Sequence, residues 1–450
     1  MKSKINLTTT HIILLSFLCA VVIGSLLLSL PISSANGQAV PYIDALFTAT
    51  TSVCVTGLVT VTTASTWSTF GHIIILILIQ IGGLGILTAL FGIGMFANKK
   101  VGLANGLLLK DALNINTMSD LVPFVKRIIT WTFVVEGIGA ALYMPVFIKD
   151  FGWRGIWISI FNAISAFCNA GLDIIGNDSL CGYVNNYWVN FVTCSLIVVA
   201  GIGYVVWIDV ATNIKNRKEK SVRWRNFNLH TKIAIVSTLV LIFGGALLIL
   251  IFDYNNPSTL GNMSFFEKVT AAIFQSITCR TAGFITIPQE NFTNPSALVS
   301  LLLMFIGGSP VGTAGGIKTV TMVVLLASAI STIRNKSDVE IMHRRIDKDT
   351  VNKSVAVVCV SLSITLLSTL LLSTCVDAPF LSILHECVSA TATVGTSMSL
   401  TGQLSLVGKI IIICTMYLGR VGPISLAVAF STSKENKNIV KNPVESISVG

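Results

Sequence analysis

FTATTSVCVTG, at Phe47–Gly57, returns three more times along the chain, as FNAISAFCNAG at Phe161–Gly171, IFQSITCRTAG at Ile273–Gly283 and HECVSATATVG at His385–Gly395. The closing glycines lie 114, 112 and 112 residues apart by subtraction of their numbers. A spacing that constant across the whole chain marks a fourfold internal repeat. Each glycine follows roughly ten apolar or small residues, too few to cross a hydrocarbon core at about 1.5 Å per residue, and each stretch is flanked by two runs long enough to do so. The repeating unit is therefore a spanning helix, a half-helix, a loop and a second spanning helix.

Composition agrees. With 53% hydrophobic and 11% charged residues in 450, the chain has too little polar surface to cover soluble globules. The sequence predicts an all-α polytopic membrane protein: four tandem helix, pore loop, helix repeats around one central pore, with eight spanning helices and four re-entrant half-helices. The units run over 1–114, 115–226, 227–345 and 346–450, the last ending in a short tail. In the first unit the elements fall near His11–Leu30, Tyr42–Val53, Cys54–Leu58 and Gly71–Phe96. Later spanning pairs are Phe124–Phe147 with Trp188–Thr212, Thr231–Phe252 with Leu298–Ser328, and Val351–Val376 with Leu404–Phe430. The first apolar run has the basic front of a signal peptide in Lys2 and Lys4. Its length, the Pro31 that ends it and the repeat element that follows make it the first membrane helix instead.

The net charge of +10 sits in short segments between apolar runs. Basic clusters occur at Lys99/Lys100, at Lys215, Arg217, Lys218, Lys220, Arg223 and Arg225, at Arg334 to Arg345, and at Lys434, Lys437 and Lys441. They occupy alternate loops, so the positive-inside rule predicts that these loops and both termini are cytoplasmic. Eight spans also put both termini on one side. The opposite loops carry mostly acids: Asp44, Asp173, Asp178, Asp253, Glu267 and Asp377. Asp173 and Asp178 follow the second repeat loop, where solvated loop acids are the favoured reading and a cation-attracting mouth the other. The ten cysteines and five histidines show neither disulfide nor zinc spacing, and Gln80 and Glu136, inside apolar runs, are placed to bond between helices.

Non-helical backbone at membrane depth is tolerated only where it is buried or lines water. Four such loops around one axis would line a pore, whereas plain extracellular hairpins have no need of a glycine at a fixed offset. A potassium ion that sheds water needs several oxygens in exchange, and rings of backbone carbonyls supply them without fixed charge. Glycine reaches the positive φ that turns carbonyls toward an axis, and the carbonyl end of each half-helix adds a partial negative charge at the same point.

The chain resembles the KtrB/TrkH/HKT superfamily of potassium-translocating subunits, and within it the KtrB branch. The resemblance spans essentially the full length and is carried by TSVCVTGLV at Thr51–Val59, FCNAGLD at Phe167–Asp173, TCRTAGF at Thr278–Phe284 and TVGTS at Thr393–Ser397. It implies a potassium uptake pore of the bacterial plasma membrane with no enzymatic activity. Potassium would be held at filter carbonyls from Cys54, Val55, Thr56 and Gly57; Cys168, Asn169, Ala170 and Gly171; Arg280, Thr281, Ala282 and Gly283; and Ala392, Thr393, Val394 and Gly395. Relatives with serine at the first glycine favour sodium, so Gly57 leans toward potassium, although one glycine per loop implies a shorter stack of ion sites than in potassium channels. The resemblance also implies a homodimer, sodium as a further ion, and a cytoplasmic nucleotide-binding regulatory ring of KtrA type; the basic loops at Lys215 to Arg225 and Arg334 to Arg345 would dock that ring or simply set topology.

In the third unit, GGSPVGTAGGIKT at Gly307–Thr319 packs five glycines and a proline into thirteen residues, a density no regular helix tolerates. A nucleotide phosphate loop is disfavoured because Ile317 stands where that motif requires glycine. A packing kink is one reading; the resemblance implies a gate made by Gly307, Gly308, Ser309, Pro310, Gly312, Thr313, Ala314, Gly315, Gly316 and Lys318. Arg420, in GRVGP at Gly419–Pro423, lies deep in an apolar run, where an arginine faces a bundle interior or water unless it snorkels. By resemblance it joins the gate. Arg280 would repel a cation if it pointed inward, so it is expected to face away from the axis and pair with Glu386. A coupled secondary symporter is the competing function. Its repeats are commonly inverted, whereas two spans per unit keep every unit in one orientation. A membrane enzyme lacks support from any hydrolase or metalloprotease motif.

Overall fold

The computed structural model describes residues 9–85, 88, 121–215 and 224–422, and these are mostly helical. The first unit contributes α1 (Thr9–Leu28), the half-helix α2 (Tyr42–Cys54) and α3 (Thr69–Leu84). The second contributes α4 (Leu121–Phe151), α5 (Arg154–Cys168), α6 (Tyr187–Gly201) and α7 (Tyr204–Lys215). The third holds α8 (Leu229–Asp253), α9 (Phe265–Thr278), α10 (Asn294–Phe305) and α11 (Thr319–Ile333). A hairpin of β1 (Val339–Ile341) and β2 (Arg344–Ile346) leads into α12 (Lys348–Ser373), α13 (Phe380–Ala392) and α14 (Leu406–Val421).

Among the described residues four helices are long and apolar enough to cross a membrane: α1, α4, α8 and α12, the first helix of each unit. Their outward faces carry bare Leu26, Phe133, Phe243 and Leu370, as a lipid solvent permits and water does not. The second long helix is interrupted in the second unit as well as in the third, where alone the sequence predicts a break. Trp188–Thr212 was expected to be one helix, yet α6 and α7 meet at 92°. The cause is Gly203, whose φ of +96° suits glycine and whose missing Cβ leaves room for the Pro310 carbonyl. In the third unit α10 and α11 are separated by the glycine-rich stretch itself. In the first and fourth, α3 and α14 stop at Gly85 and Gly422, with φ of 82° and 94°. The remainder of the expected helices Gly71–Phe96 and Leu404–Phe430 lies outside the described residues, as do Lys99, Lys100, most of the Lys215 to Arg225 cluster, the Lys434 to Lys441 cluster, both termini and the boundary at 114.

The units pack in a circle. The inner helix of each lies on the half-helix of the next: α3 on α5, α6 on α9, α10 on α13, and α14 back on α2. Lys409 of α14 closes the last seam with a 2.6 Å ion pair to Asp44 in the first turn of α2. There the acid also meets the positive end of the helix dipole. Within units, hydroxyls join helices, as lipid-embedded interfaces favour: Tyr143 to Thr193 at 2.6 Å, Ser276 donating to the Ile242 carbonyl at 2.9 Å, and Ser368 to Thr415 at 2.8 Å.

Candidate functional site

All four half-helices end at the centre of this circle. Cys54, Cys168 and Ala392 close their helices, and the next residues, Val55, Asn169 and Thr393, take left-handed φ of 55°, 59° and 51°. Two residues on, Gly57, Gly171 and Gly395 have positive φ again, at 97°, 65° and 102°. In a regular strand successive carbonyls point in opposite directions. Alternating the sign of φ turns them the same way, so each loop presents a short row of carbonyls to one side. The third loop reaches the same pattern by another route: α9 stops at Thr278, and Thr281 and Gly283 carry the positive φ of 71° and 80°.

The bonds that hold the loops repeat with equal fidelity. Thr56, Ala170 and Val394 each donate a backbone N–H to a carbonyl five residues back, at Thr51, Ser165 and Ser389, and each distance is 2.8 Å. The Gly57 N–H meets the Thr51 hydroxyl at 2.9 Å, and the Gly395 N–H meets the Ser389 hydroxyl at 3.0 Å. In the third loop Ile277 stands at the corresponding place, and the Gly283 N–H turns instead to the Thr278 carbonyl at 3.3 Å. These backing hydroxyls were missed in the sequence, although a hydroxyl six residues before the glycine recurs in three of the four repeats and was the available signal.

The four glycines also meet one another. A Cβ on Gly57 would strike the carbonyl of Ala170; on Gly171, that of Ala282; on Gly283, that of Val394; on Gly395, that of Thr56. Every one of these approaches is closer than the 3.0 Å that real Cβ atoms respect. Each loop thus leans on the carbonyl just ahead of the next loop's glycine, in unit order, and the fourth returns to the first. Above the ring opens a vestibule of about 550 Å³ lined by the same four glycines with Asp173, Asp178 and Glu290. Asp178 is exposed, as a loop acid should be, but Asp173 is buried and accepts the Ile175 N–H at 3.2 Å. At the outer end of α9 the Ser264 N–H bonds Glu267 at 2.8 Å, and this bond holds the carboxyl below its ordinary pKa range.

Behind the ring, Gln80 donates to Glu136 at 3.1 Å, so the expected bond between helices is present, and the Cys168 thiol faces both. Arg280 does face away from the ring. The sequence predicts a pair with Glu386, and that pair is not formed: among the described residues its guanidinium reaches only Thr238 of α8, at 3.4 and 3.5 Å. The Glu386 carboxylate is engaged within its own unit, by the hydroxyls of Ser397 and Thr401.

Beneath the ring lies the stretch between α10 and α11, tied to the second, third and fourth units. Ile306 and Ile317 pair as a short parallel bridge that narrows its neck. Ser309 N–H donates to Gly201 at 2.9 Å, the Tyr204 N–H to Val311 at 2.8 Å, and the Thr313 hydroxyl to Phe167 at 3.1 Å, all in the second unit. Gly315 N–H donates to the Thr281 hydroxyl at 3.1 Å. Lys318 folds back, its ammonium 2.5 Å from the Ala314 carbonyl. Gly307, Gly308, Gly312 and Gly316 allow close backbone approaches within this fold, and Pro310 supplies the carbonyl seated against Gly203. Arg420 then spans the gap between units, donating to the Thr313 carbonyl at 2.9 Å and to the Gly82 carbonyl of α3 at 2.6 Å.

A ring of carbonyl-bearing loops at the centre of a lipid-facing helical bundle defines an integral membrane protein of the cation-transporting class. The chain belongs to the TrkH family of cation transport proteins, whose family model matches residues 3–442. It is 37% identical to the potassium/sodium uptake protein NtpJ of Enterococcus hirae, over 100% of this chain and 99% of that protein. It is 38% identical to the Ktr system potassium uptake protein B of Bacillus subtilis, over 96% of this chain and 95% of that one. Its fold matches the potassium transporter TrkH of Vibrio parahaemolyticus with a TM-score of 0.74 and 16% identity, across 96% of this chain and 87% of the other.

Proposed function

We propose that this chain is the pore-forming, potassium-translocating subunit of a Ktr-type uptake system in the bacterial plasma membrane. One observation carries the reading: four loops related by sequence lean on one another in cyclic order through glycine and carbonyl. Four units, each a spanning helix, a re-entrant half-helix, a loop and a second span, would then surround one pore, giving eight crossings with both termini cytoplasmic. Carbonyls near Gly57, Gly171, Gly283 and Gly395 select the ion, and four half-helix carbonyl ends favour its positive charge. The Gly307–Thr319 stretch, bolted to the rim by Arg420, closes the path below. The names of the relatives, potassium uptake for one and potassium/sodium uptake for another, support potassium as the main ion and sodium as a second. Relatives named as parts of a Ktr system support a cytoplasmic regulatory partner. We include a homodimer and a KtrA-type nucleotide-binding ring in the proposal on the same basis.

Potassium-limited growth of an uptake-deficient bacterium tests the reading, with this chain expressed alone, with a regulatory subunit, and as Gly395→Ser. Growth restored by the chain and lost in the variant is the expected result; equal growth of the two would overturn the filter assignment. Rubidium uptake into proteoliposomes should proceed without an imposed sodium or proton gradient.

A further inference from the structure

The fourth loop is pinned by backbone bonds on one side of its glycine and by side chains on the other. Before Gly395, the Val394 N–H donates to the Ser389 carbonyl and the Gly395 N–H to the Ser389 hydroxyl. Beyond it, among the described residues, no N–H from Thr396 to Ser399 donates to a backbone carbonyl. Gly395, at a φ of 102°, separates the two stretches, and glycine is the residue whose backbone turns most freely. Whatever fixes the outgoing stretch therefore helps to fix the direction of the carbonyls at the ring.

Glu386 is that anchor. It lies on α13, nine residues before Gly395 by subtraction, and is 0% exposed. Ser397 Oγ donates to Glu386 Oε2 at 2.7 Å, and Thr401 Oγ1 donates to Oε1. The Ser397 oxygen in turn accepts the N–H of Leu400 at 3.2 Å and that of Thr401 at 3.4 Å, which gathers the outgoing stretch into one turn. Among the described residues no lysine, arginine or histidine forms an ion pair with this carboxylate. A buried acid without a cationic partner is costly, and the two hydroxyl donors are its compensation. The third unit makes the same connection with neutral groups. Gln289 stands six residues past Gly283, as Thr401 stands six past Gly395, and its amide donates to Gln275 of α9 at 2.9 Å. Ser397, Thr401 and Gln289 all line the vestibule above the ring. We infer that Glu386 is a positioning residue for ion selection, a carboxylate that holds the outgoing limb of the fourth loop through Ser397 and Thr401. This rests on the pore reading above and adds a residue outside the filter loops to the groups that set preference.

A carboxylate suits this duty because both of its oxygens accept, so two hydroxyls donate to it at once. Glutamine has the same size but offers one acceptor where the carboxylate offers two. The Ser397 oxygen already takes two N–H groups, which leaves it little capacity to accept a third. Bonds to an ionised acceptor are also roughly twice as strong as neutral ones, so the fourth limb is held more firmly than the third with its pair of glutamines. The carboxylate never touches the ion. It acts on the placement of carbonyls, which is the means by which a filter without fixed charge distinguishes one monovalent cation from another.

Rubidium uptake against competing sodium, by the full chain in proteoliposomes, tests the brace. Glu386→Gln should lower preference for rubidium over sodium by about tenfold, the effect of one charge-assisted bond. The loss should come through a raised half-saturating rubidium concentration rather than a lowered maximal rate. Ser397→Ala combined with Thr401→Val keeps the carboxylate and removes both donors. It should lose preference to the same extent, and adding Glu386→Gln to it should cost nothing more, as coupled partners require. Thr401→Ser in place of Thr401→Val returns a hydroxyl and should recover part of the loss. Wild-type preference in the hydroxyl variants, or losses that add in the triple variant, would overturn the brace. So would a lower yield or maximal rate at wild-type preference, which marks a residue needed only for folding. Where Glu386→Gln fails to fold, the hydroxyl variants decide alone, by the same criterion. Gly395→Ser, measured alongside, separates the two levels of inference. If it loses preference while the Glu386 and hydroxyl variants keep it, only the brace falls; if it too keeps wild-type preference, the pore reading falls with it.

Discussion

The first and fourth loops are near copies, and the third is not. Thr51 and Ser389 back their glycines with hydroxyls, Val55 and Thr393 follow directly on their half-helices, and Gly82 and Gly419 press equivalent helix positions against the Val53 and Thr391 carbonyls. In the third unit the half-helix stops early, the backing residue is Ile277, a buried arginine stands behind the loop, and the helix that follows is broken. Yet Gly283 occupies its place in the ring as the others do. The ring constrains only what it touches: a glycine, a positive φ and a carbonyl aimed at the neighbour. Everything behind it was free to diverge, and the divergence is concentrated in the unit that carries the closing loop.

Substituting the shared feature should produce the largest effect. Gly395→Ser or Gly57→Ala forces a Cβ into a neighbouring backbone carbonyl that cannot rotate away. Overpacking of this kind costs about 1–3 kcal/mol, enough for roughly a hundredfold loss of potassium over sodium preference in uptake assays. Gly244→Ala, on the lipid-facing helix α8 with open space around it, should leave preference unchanged. Next comes the feature confined to one place. Arg420→Ala removes two charge-assisted bonds, to Thr313 and Gly82, that hold the loop of the third unit to the first. Resting rubidium leak should rise by about tenfold or more, with ion preference intact. A leak equal to wild type would mean that the loop is held by its other ties, and the division between a shared ring and a local closure would lose its main support.

How much of this the residues reveal unaided depends on whether the cause is local. The repeat, the half-helices and the ring glycines are legible because each is a local necessity: an apolar stretch too short to cross, then a residue without a Cβ. The break at Gly307–Thr319 is legible by density of glycine. The bend at Gly203 is not, since two glycines flanking Ile202 are common inside membrane helices, and only the Pro310 carbonyl, about a hundred residues on, makes the kink obligatory. The Arg280 partner was misassigned for a related reason. Charge complementarity pointed to Glu386, but two hydroxyls in the same unit reach that carboxylate first.

Loops one and four can be weakened separately. Thr51→Val and Ser389→Ala each leave a ring glycine N–H without its acceptor in a buried place. A neutral hydrogen bond contributes about 0.5–1.5 kcal/mol, so each variant should reduce potassium over sodium preference by about fivefold in competition uptake. Matched losses would establish the two loops as mechanically equivalent; a loss in one alone would break the likeness.

The smallest effect belongs to the second loop, and it is the most discriminating. By sequence Ser165 is the counterpart of Thr51 and Ser389, six residues before Gly171, and alignment alone assigns it the same duty. Its hydroxyl is buried without a hydrogen-bond partner, although its carbonyl still accepts the Ala170 N–H at 2.8 Å. Removing an unpaired buried hydroxyl relieves a desolvation cost and breaks no bond. Ser165→Ala should therefore change preference by less than about twofold and leave thermal stability in detergent equal or slightly higher. A fivefold loss, matching Thr51→Val, would show that Ser165 engages the Gly171 N–H when ions fill the ring. The loops would then differ less during transport than at rest.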